Sequence, residues 1–439
     1  MVQWRKDILG NGLRVVTAAM PHLHSAEVAI YLKVGGRDDP PGKEGLSHLL
    51  EHMLFRGCRD YPTCLALENA FEAIGGAVNA ATDAETTCFY SRIHPGQATE
   101  GLRILAAMLL DPLLADLETE KRIVTEEALD DLNEKGTEVN VDSVAARLIW
   151  PDHPLGKPTV GTLESIASFS EEDLREHLGH YYRPGNAVLV AAGKVDHAEV
   201  LRAAEANFGR WEAGQRPPTV PFTAGQSAPR WRFVADEDSQ VHLQMAFRGI
   251  SLRDPRLMTL RLLRRVLSGG GSSRLHLKLR EEMGVVYSVD AAISAYADTG
   301  SFSLDFSTAP ENLETAVAAT FEELRRIVTE PVDEGELERV RRSCLYELEY
   351  GADSCYDMQI RYGWGEIVGL VCHPEEERRE MLAIDVVAIG ALARELFAPG
   401  HLNLVAVGPV TAELRRKLEG RLGEYERGFR DEIPPAETT

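Results

Sequence analysis

The chain has 439 residues, with 47 Lys and Arg against 69 Asp and Glu and a formal net charge of −22 at pH 7. That sign argues against nucleic acid or an anionic membrane surface as the main partner, and no apolar run approaches the roughly 18 residues that a membrane-spanning helix needs. The length exceeds what one core sustains, so more than one domain is expected.

Six cysteines stand at 58, 64, 88, 344, 355 and 372 with no C-x-x-C pair, which indicates neither a thiolate metal site nor a disulfide framework. The first residues, Met1-Val2-Gln3-Trp4-Arg5-Lys6-Asp7, lack an apolar signal core. They read as mature sequence, with the cytoplasm as the expected compartment. Asn11-Gly12 is a turn signal before a strand-like run, Leu13-Arg14-Val15-Val16. A second strand is expected over 26–34. Gly35-Gly36 and Pro40-Pro41-Gly42 then form a loop leading into Gly45-Leu46-Ser47-His48-Leu49-Leu50-Glu51-His52-Met53-Leu54-Phe55. Leu46, Leu49, Leu50, Met53 and Leu54 follow a helical period, and Gly57 is placed to stop the helix. On that helix His48 and His52 stand one turn apart on one face, where two imidazoles reach a single metal ion. Glu51 flanks the same face. His-x-x-Glu-His is the inverted form of the zinc-peptidase helix. The plainer reading is an amphipathic helix with two incidental histidines.

Pro62-Thr63 opens a further helix that ends at Gly75-Gly76. Two extended strands follow, over 77–82 and 86–93, then a helix over 97–110 closed by Pro112. The segment 116–133 reads as a long acidic helix. Glu120 and Glu127 lie about two turns apart on one face of it, with Ile123 and Val124 turning that face inward. Carboxylates on an inward face need a cationic partner, and a metal with its ligands is one; a salt-bridged surface helix is the alternative. Helices are expected over 142–149, 170–181 and 196–208, with a strand over 187–192. Pro217, Pro218, Pro221 and Pro229 with Gly214 and Gly225 then make a linker without periodicity.

Beyond the linker the order of elements repeats. Strands are expected over 241–247, 285–295 and 301–307, helices over 255–267, through 282, over 312–328 and 336–349, and a late strand over 402–407. The expected fold class is α+β, two homologous domains from an internal duplication, each a mixed or antiparallel sheet with helices packed on it. The domains are expected at 1–210 and 231–439, joined by a linker at 211–230. The second half has no His-x-x-Glu-His.

These motifs, in this order, resemble the pitrilysin family of zinc peptidases, which includes insulin-degrading enzyme and the mitochondrial processing peptidase. The likeness spans nearly the whole chain and is greatest to the bacterial processing-peptidase-like branch. It rests on Asn11 to Val16, His48 to His52, Gly75-Gly76-Ala77-Val78-Asn79-Ala80, Glu120 to Glu127, Gly269-Gly270-Gly271-Ser272-Ser273-Arg274-Leu275 and Arg280 to Tyr287. The resemblance implies Zn2+ held by His48, His52 and Glu127, with Glu126 the rival ligand and the fourth position left for water. It implies Glu51 as general base and Glu120 as the residue that orients a ligand histidine. Arg280 and Tyr287 are implied to grip the substrate backbone and stabilise the oxyanion. Asn79 and Ala80 are implied to lie on an edge strand that an extended peptide joins. The implied activity is a metalloendopeptidase acting on unfolded peptides in a closing chamber. The implied partners are peptide substrates and a second copy in a homodimer, or a related subunit in a heterodimer. A non-catalytic scaffold and a dedicated processing peptidase for one precursor are the alternatives.

Overall fold

Two sheets use one connectivity twice. Residues 2–214 and 216–432 are described by the computed structural model. The first sheet takes β1 (Gln3–Ile8), β2 (Arg14–Ala19), β3 (Ala26–Leu32), β4 (Val78–Thr82), β5 (Thr87–Ile93) and β6 (Ala187–Gly193), in the order β1-β2-β6-β3-β5-β4. The second takes β7 (Arg230–Ala235), β8 (Val241–Gly249), β9 (Val289–Ala295), β10 (Gly300–Thr308) and β11 (Leu402–Gly408), in the order β7-β11-β8-β10-β9. With β1 set aside the two orders are one permutation. In each, the first strand pairs parallel with the last and every other pairing is antiparallel. The fold is α+β, and the duplication lies in its topology.

The helices repeat as well. In the first half they are α1 (Leu46–Leu54), α2 (Cys64–Ala73), α3 (Ala98–Leu110), α4 (Leu117–Leu129), α5 (Val141–Ile149), α6 (Leu163–Ser168), α7 (Glu171–Tyr181) and α8 (His197–Phe208). In the second half they are α9 (Leu257–Leu267), α10 (Leu313–Thr329), α11 (Glu334–Gly351), α12 (Cys355–Gln359), α13 (Gly365–Val368), α14 (Pro374–Ala383), α15 (Val386–Leu396) and α16 (Ala412–Glu432). Local chemistry explains many of the ends. Thr63, Asn140, Ser170 and Asp196 cap α2, α5, α7 and α8 by accepting a backbone N–H in the first turn.

The chain divides into two compact units, each with its own apolar cluster. They are not the two sequence halves. The first holds residues 1–130, 157–220 and 346–373, and the second holds 131–156, 221–345 and 374–439. The chain leaves the first unit inside the proline-rich stretch. Arg216 pairs with Asp38 at 2.8 Å, and Arg37 donates to the Val220 carbonyl, so that stretch is partly fastened to the first unit. The expected halves 1–210 and 231–439 thus exchange one segment each. Residues 131–156, including α5, lie on β8 and β11 of the second sheet; residues 346–373 lie on β3 and β6 of the first. Both exchanged pieces follow the long helix of their own repeat. They cover the face that their unit's other helices leave open, so β3, β6 and β11 are buried at every position and show no alternation.

Other differences from the expected elements have local causes. β1 carries Arg5, Lys6 and Asp7 and is exposed along most of its length, so no apolar period marks it. The strand expected from 285 begins only at Val289, which leaves Tyr287 in a loop. Val124 is buried as expected, whereas Ile123 is 46% exposed. One residue is 100° of helix, and only Val124 reaches the core.

Candidate metal centre

The centre is built on α1. Leu46, Leu49, Leu50, Met53 and Leu54 are buried along the apolar side of the helix. Its entry is held by a carboxylate from the preceding loop. Asp39 accepts the Gly45 N–H at 2.8 Å, the Ser47 N–H at 2.9 Å and the Ser47 hydroxyl at 2.6 Å. This satisfies first-turn donors of the helix, and these bonds oppose the burial that raises the Asp39 carboxyl to about 7. Ser47 Oγ lies 2.9 Å from His177 Nε2. With the hydroxyl hydrogen given to Asp39, His177 Nε2–H is the donor to Ser47. Gly45 has φ +91, and a Cβ there would stand 2.3 Å from the Val160 carbonyl oxygen, so the sharp turn into the helix needs glycine.

His48 and His52 project from one face of α1 with ring centroids 4.6 Å apart. Glu127, from α4, meets both. Its carboxylate lies 3.6 Å from His48 Nε2 and 3.8 Å from His52 Nε2. One donor atom from each of the three falls within 4.8 Å of the others. A tetrahedral zinc with ligand bonds of about 2.0–2.1 Å sets its donor atoms about 3.4 Å apart, so the cluster has the right size, and two imidazoles with one carboxylate are a fitting donor set. Among the described residues this is the single grouping of this kind. Of the two adjacent glutamates it contains Glu127; Glu126 lies outside the cluster.

The charge states agree with the geometry. Burial, helped by His52, pushes the His48 imidazole down to about 4, which leaves it neutral at physiological pH. Its Nδ1 is buried without a hydrogen-bond partner, and its Nε2 is the atom that faces Glu127. Burial also works against a charged His52, but the Glu120 hydrogen bond and the carboxylates of Glu51, Glu120 and Glu127 outweigh it and raise that imidazole.

Behind the cluster lies a second layer. Glu120 is buried, and its Oε2 lies 3.3 Å from His52 Nδ1. Its other oxygen meets Arg56 at 3.2 Å, and Arg56 in turn meets Asp116 at 3.0 Å. Glu51, also buried, sits beside the cluster, and its Oε2 accepts a hydrogen bond from the Thr82 hydroxyl at the end of β4. Burial raises the Glu51 carboxyl above its ordinary range, against the Thr82 bond and His52, which lower it.

Asn79 and Ala80 lie on β4, an outer strand of the first sheet. Arg280 lies in the last turn of a π-helical segment, His276–Glu282, and its guanidinium stands 5.2 Å from the centre of the Tyr287 ring. Tyr287 is 82% exposed, so it is no core aromatic. Those two are brought together within the second unit. Reasoning from sequence passed over Arg56, Asp39, Ser47, His177 and Thr82. Only Arg56, one turn beyond His52, and Thr82, in step with Ala80 on an alternating strand, carried any signal.

The fold and this donor set point to a family of peptidases, and comparison with known proteins shows which one. Residues 14–163 match the family described as insulinase (peptidase family M16), and residues 168–344 match the M16 inactive domain. The chain belongs to the insulinase family of peptidases. A Rickettsia bellii protein described as an uncharacterized zinc protease is 32% identical over 410 residues, covering 91% of this chain and 96% of that one. A Bacillus subtilis protein described as the uncharacterized zinc protease YmxG is 29% identical, covering 89% and 95%. Among solved structures, a protease from Helicobacter pylori superposes with a TM-score of 0.86 at 19% identity, over 93% of this chain and all of that one. The first half of the periplasmic protease PqqL from Escherichia coli gives 0.79 at 17% identity, over 99% and 98%. At these identities the structural likeness speaks for the fold.

Proposed function

We propose that the chain is a zinc-dependent metalloendopeptidase that cuts extended, unfolded peptides. The observation that carries this reading is the meeting of His48, His52 and Glu127 with the buried Glu51 beside them. Zinc bound by the three would act as a Lewis acid on the scissile carbonyl and acidify a water at the open position. Glu51 takes a proton from the attacking water as its oxygen adds to the carbonyl carbon. It passes that proton to the amine nitrogen as the C–N bond breaks. The products are a carboxylic acid and an amine, and Glu51 is restored. Glu120 holds His52 through Nδ1 and leaves Nε2 turned to Glu127. Main-chain groups of β4 at Asn79 and Ala80 accept the peptide as an added strand, which gives affinity with little sequence preference. Arg280 and Tyr287 gripping the peptide backbone belongs to the same reading and rests on the family resemblance. The description of the relatives as zinc proteases supports this chemistry.

Digestion of a peptide library with mass-spectrometric mapping, with and without a chelator, tests it. Cleavage abolished by chelator and restored by zinc is the expected outcome. Glu51→Gln keeps its metal and loses about 10²–10⁴-fold in turnover; full activity in that variant removes Glu51 from the mechanism. A zinc-loaded wild-type chain that cuts nothing in the library overturns the general endopeptidase and leaves a scaffold or a single-substrate processing enzyme.

A further inference from the structure

We propose that Thr82 is a positioning residue for Glu51, tying the general base to the strand edge that receives the peptide. The inference rests on the peptidase reading above. β4 is an outer strand of the first sheet, paired on one side with β5. Its side chains alternate. Thr82 therefore shares a face with Ala80 and Val78, and from that face its hydroxyl donates to Glu51 Oε2. A hydroxyl has one hydrogen to give. Here it goes to Oε2 and leaves Oε1 to take the proton.

Thr82 is placed by the backbone pairing of β4 with β5. Its register partner on β5 is Thr87, whose hydroxyl oxygen lies 3.5 Å away. Thr87 in turn donates to the Val34 carbonyl at 2.9 Å, just beyond β3. The groups that bear on Glu51 electrostatically are His52, Glu127 and Asp83, with the buried Tyr182 hydroxyl also in range. Asp83 is the next residue after Thr82. Among the described residues, Thr82 supplies the side-chain hydrogen bond that fixes the Glu51 carboxylate. A buried carboxylate deprived of its donor is left with unsatisfied lone pairs and no preferred orientation.

One short strand thus serves two purposes. Its main chain binds, and the last side chain on its inner face aims the base. Binding and chemistry are then separable by mutation. The peptide's hydrogen bonds go to the main chain of β4, which a side-chain change at Thr82 leaves intact, whereas the orientation of the base depends on the hydroxyl.

The test is kinetic and compositional, on the full chain. Thr82→Val is nearly isosteric and removes the hydroxyl; Thr82→Ser keeps it. Zinc content is measured by metal analysis on each variant alongside kcat and KM for one library peptide. Thr82→Val is expected to keep wild-type zinc and a KM within about twofold, while kcat falls about tenfold or more, a share of the roughly 10²–10⁴ that a positioned base supplies. Thr82→Ser is expected to recover kcat to within about threefold of wild type, and in a Glu51→Gln background Thr82→Val adds no further loss, because the two act as one unit. Unchanged kcat in Thr82→Val, loss of its zinc, or a serine variant as impaired as the valine one overturns the role of Thr82 and leaves the peptidase reading standing. A wild-type chain without chelator-sensitive cleavage overturns both.

Discussion

His48 and His52 are the same residue type one turn apart, yet their surroundings differ. His48 is buried with an unpartnered Nδ1, whereas His52 is held through Nδ1 by Glu120. A chain of charges, Asp116 to Arg56 to Glu120 to His52, fixes the second ring from behind. Zinc affinity is expected to follow this order. His48→Ala and Glu127→Gln should lose the metal, while Glu120→Gln should weaken it by about 10–100-fold, the usual cost of an outer partner. Competition with a chromogenic chelator reads all three. Unchanged zinc in Glu127→Gln would assign the third ligand elsewhere. At this scale the sequence was most legible where one helix carries the residues. His48, Glu51 and His52 follow from a period of 3.6. Asp39, Ser47 and His177 do not, because a six-residue loop and a distant helix bring them together.

At the scale of elements, the exchanged segment 346–373 shows how closely the pieces fit. A Cβ on Gly363 would lie 2.6 Å from the Tyr31 ring and 2.7 Å from Val190. Tyr31 gives its hydroxyl to Gln359 at 2.9 Å. Beneath this cover Glu27 of β3 is buried beside Cys355, whose thiol donates to it across 3.8 Å. Burial raises the Glu27 carboxyl from an ordinary 4.5 to about 7, against Arg92 and Cys355, which lower it. The folded chain therefore keeps this proton at pH values where the unfolded chain has released it. Its contribution is fully present below about 4.5 and is lost as pH rises through about 7. Glu27→Gln is expected to flatten that decline. Urea midpoints at pH 5 and pH 8 measure it, and an identical loss between the two pH values in wild type and variant would show that Glu27 has no part in it.

Across the whole molecule, the exchange of segments makes each unit depend on both halves of the chain. A chain cut after residue 220 has every strand of the first sheet but lacks residues 346–373. The faces of β3 and β6 that this segment covers would then meet water. Such a fragment is expected to bind hydrophobic dyes and aggregate, and adding residues 346–373 in trans is expected to reduce both. A fragment that stays monomeric, dye-silent and cooperative in unfolding would show that the first unit needs no cover. The duplication is legible in the repeated order of elements, but the exchange is not. Both versions bury the same apolar residues, and local sequence does not record which sheet they will lie on.

Composition, helical period and turn residues were enough to define the kind of fold, the repeat and the three residues carried on α1, because each is a property of neighbours along the chain. Preferring Glu127 to Glu126 rested on the family resemblance together with its spacing from Glu120 along one helix. The tertiary structure decided what depends on approach from far along the chain. It brought α4 to α1 so that Glu127 stands 3.6 Å and 3.8 Å from two imidazole nitrogens. It laid the end of β4 against Glu51, and it set Asp39 at the entry of α1. Such contacts arise from the packing of faces, and hydrophobic packing is non-directional. An apolar pattern states that a face will be covered; only the folded chain states by what.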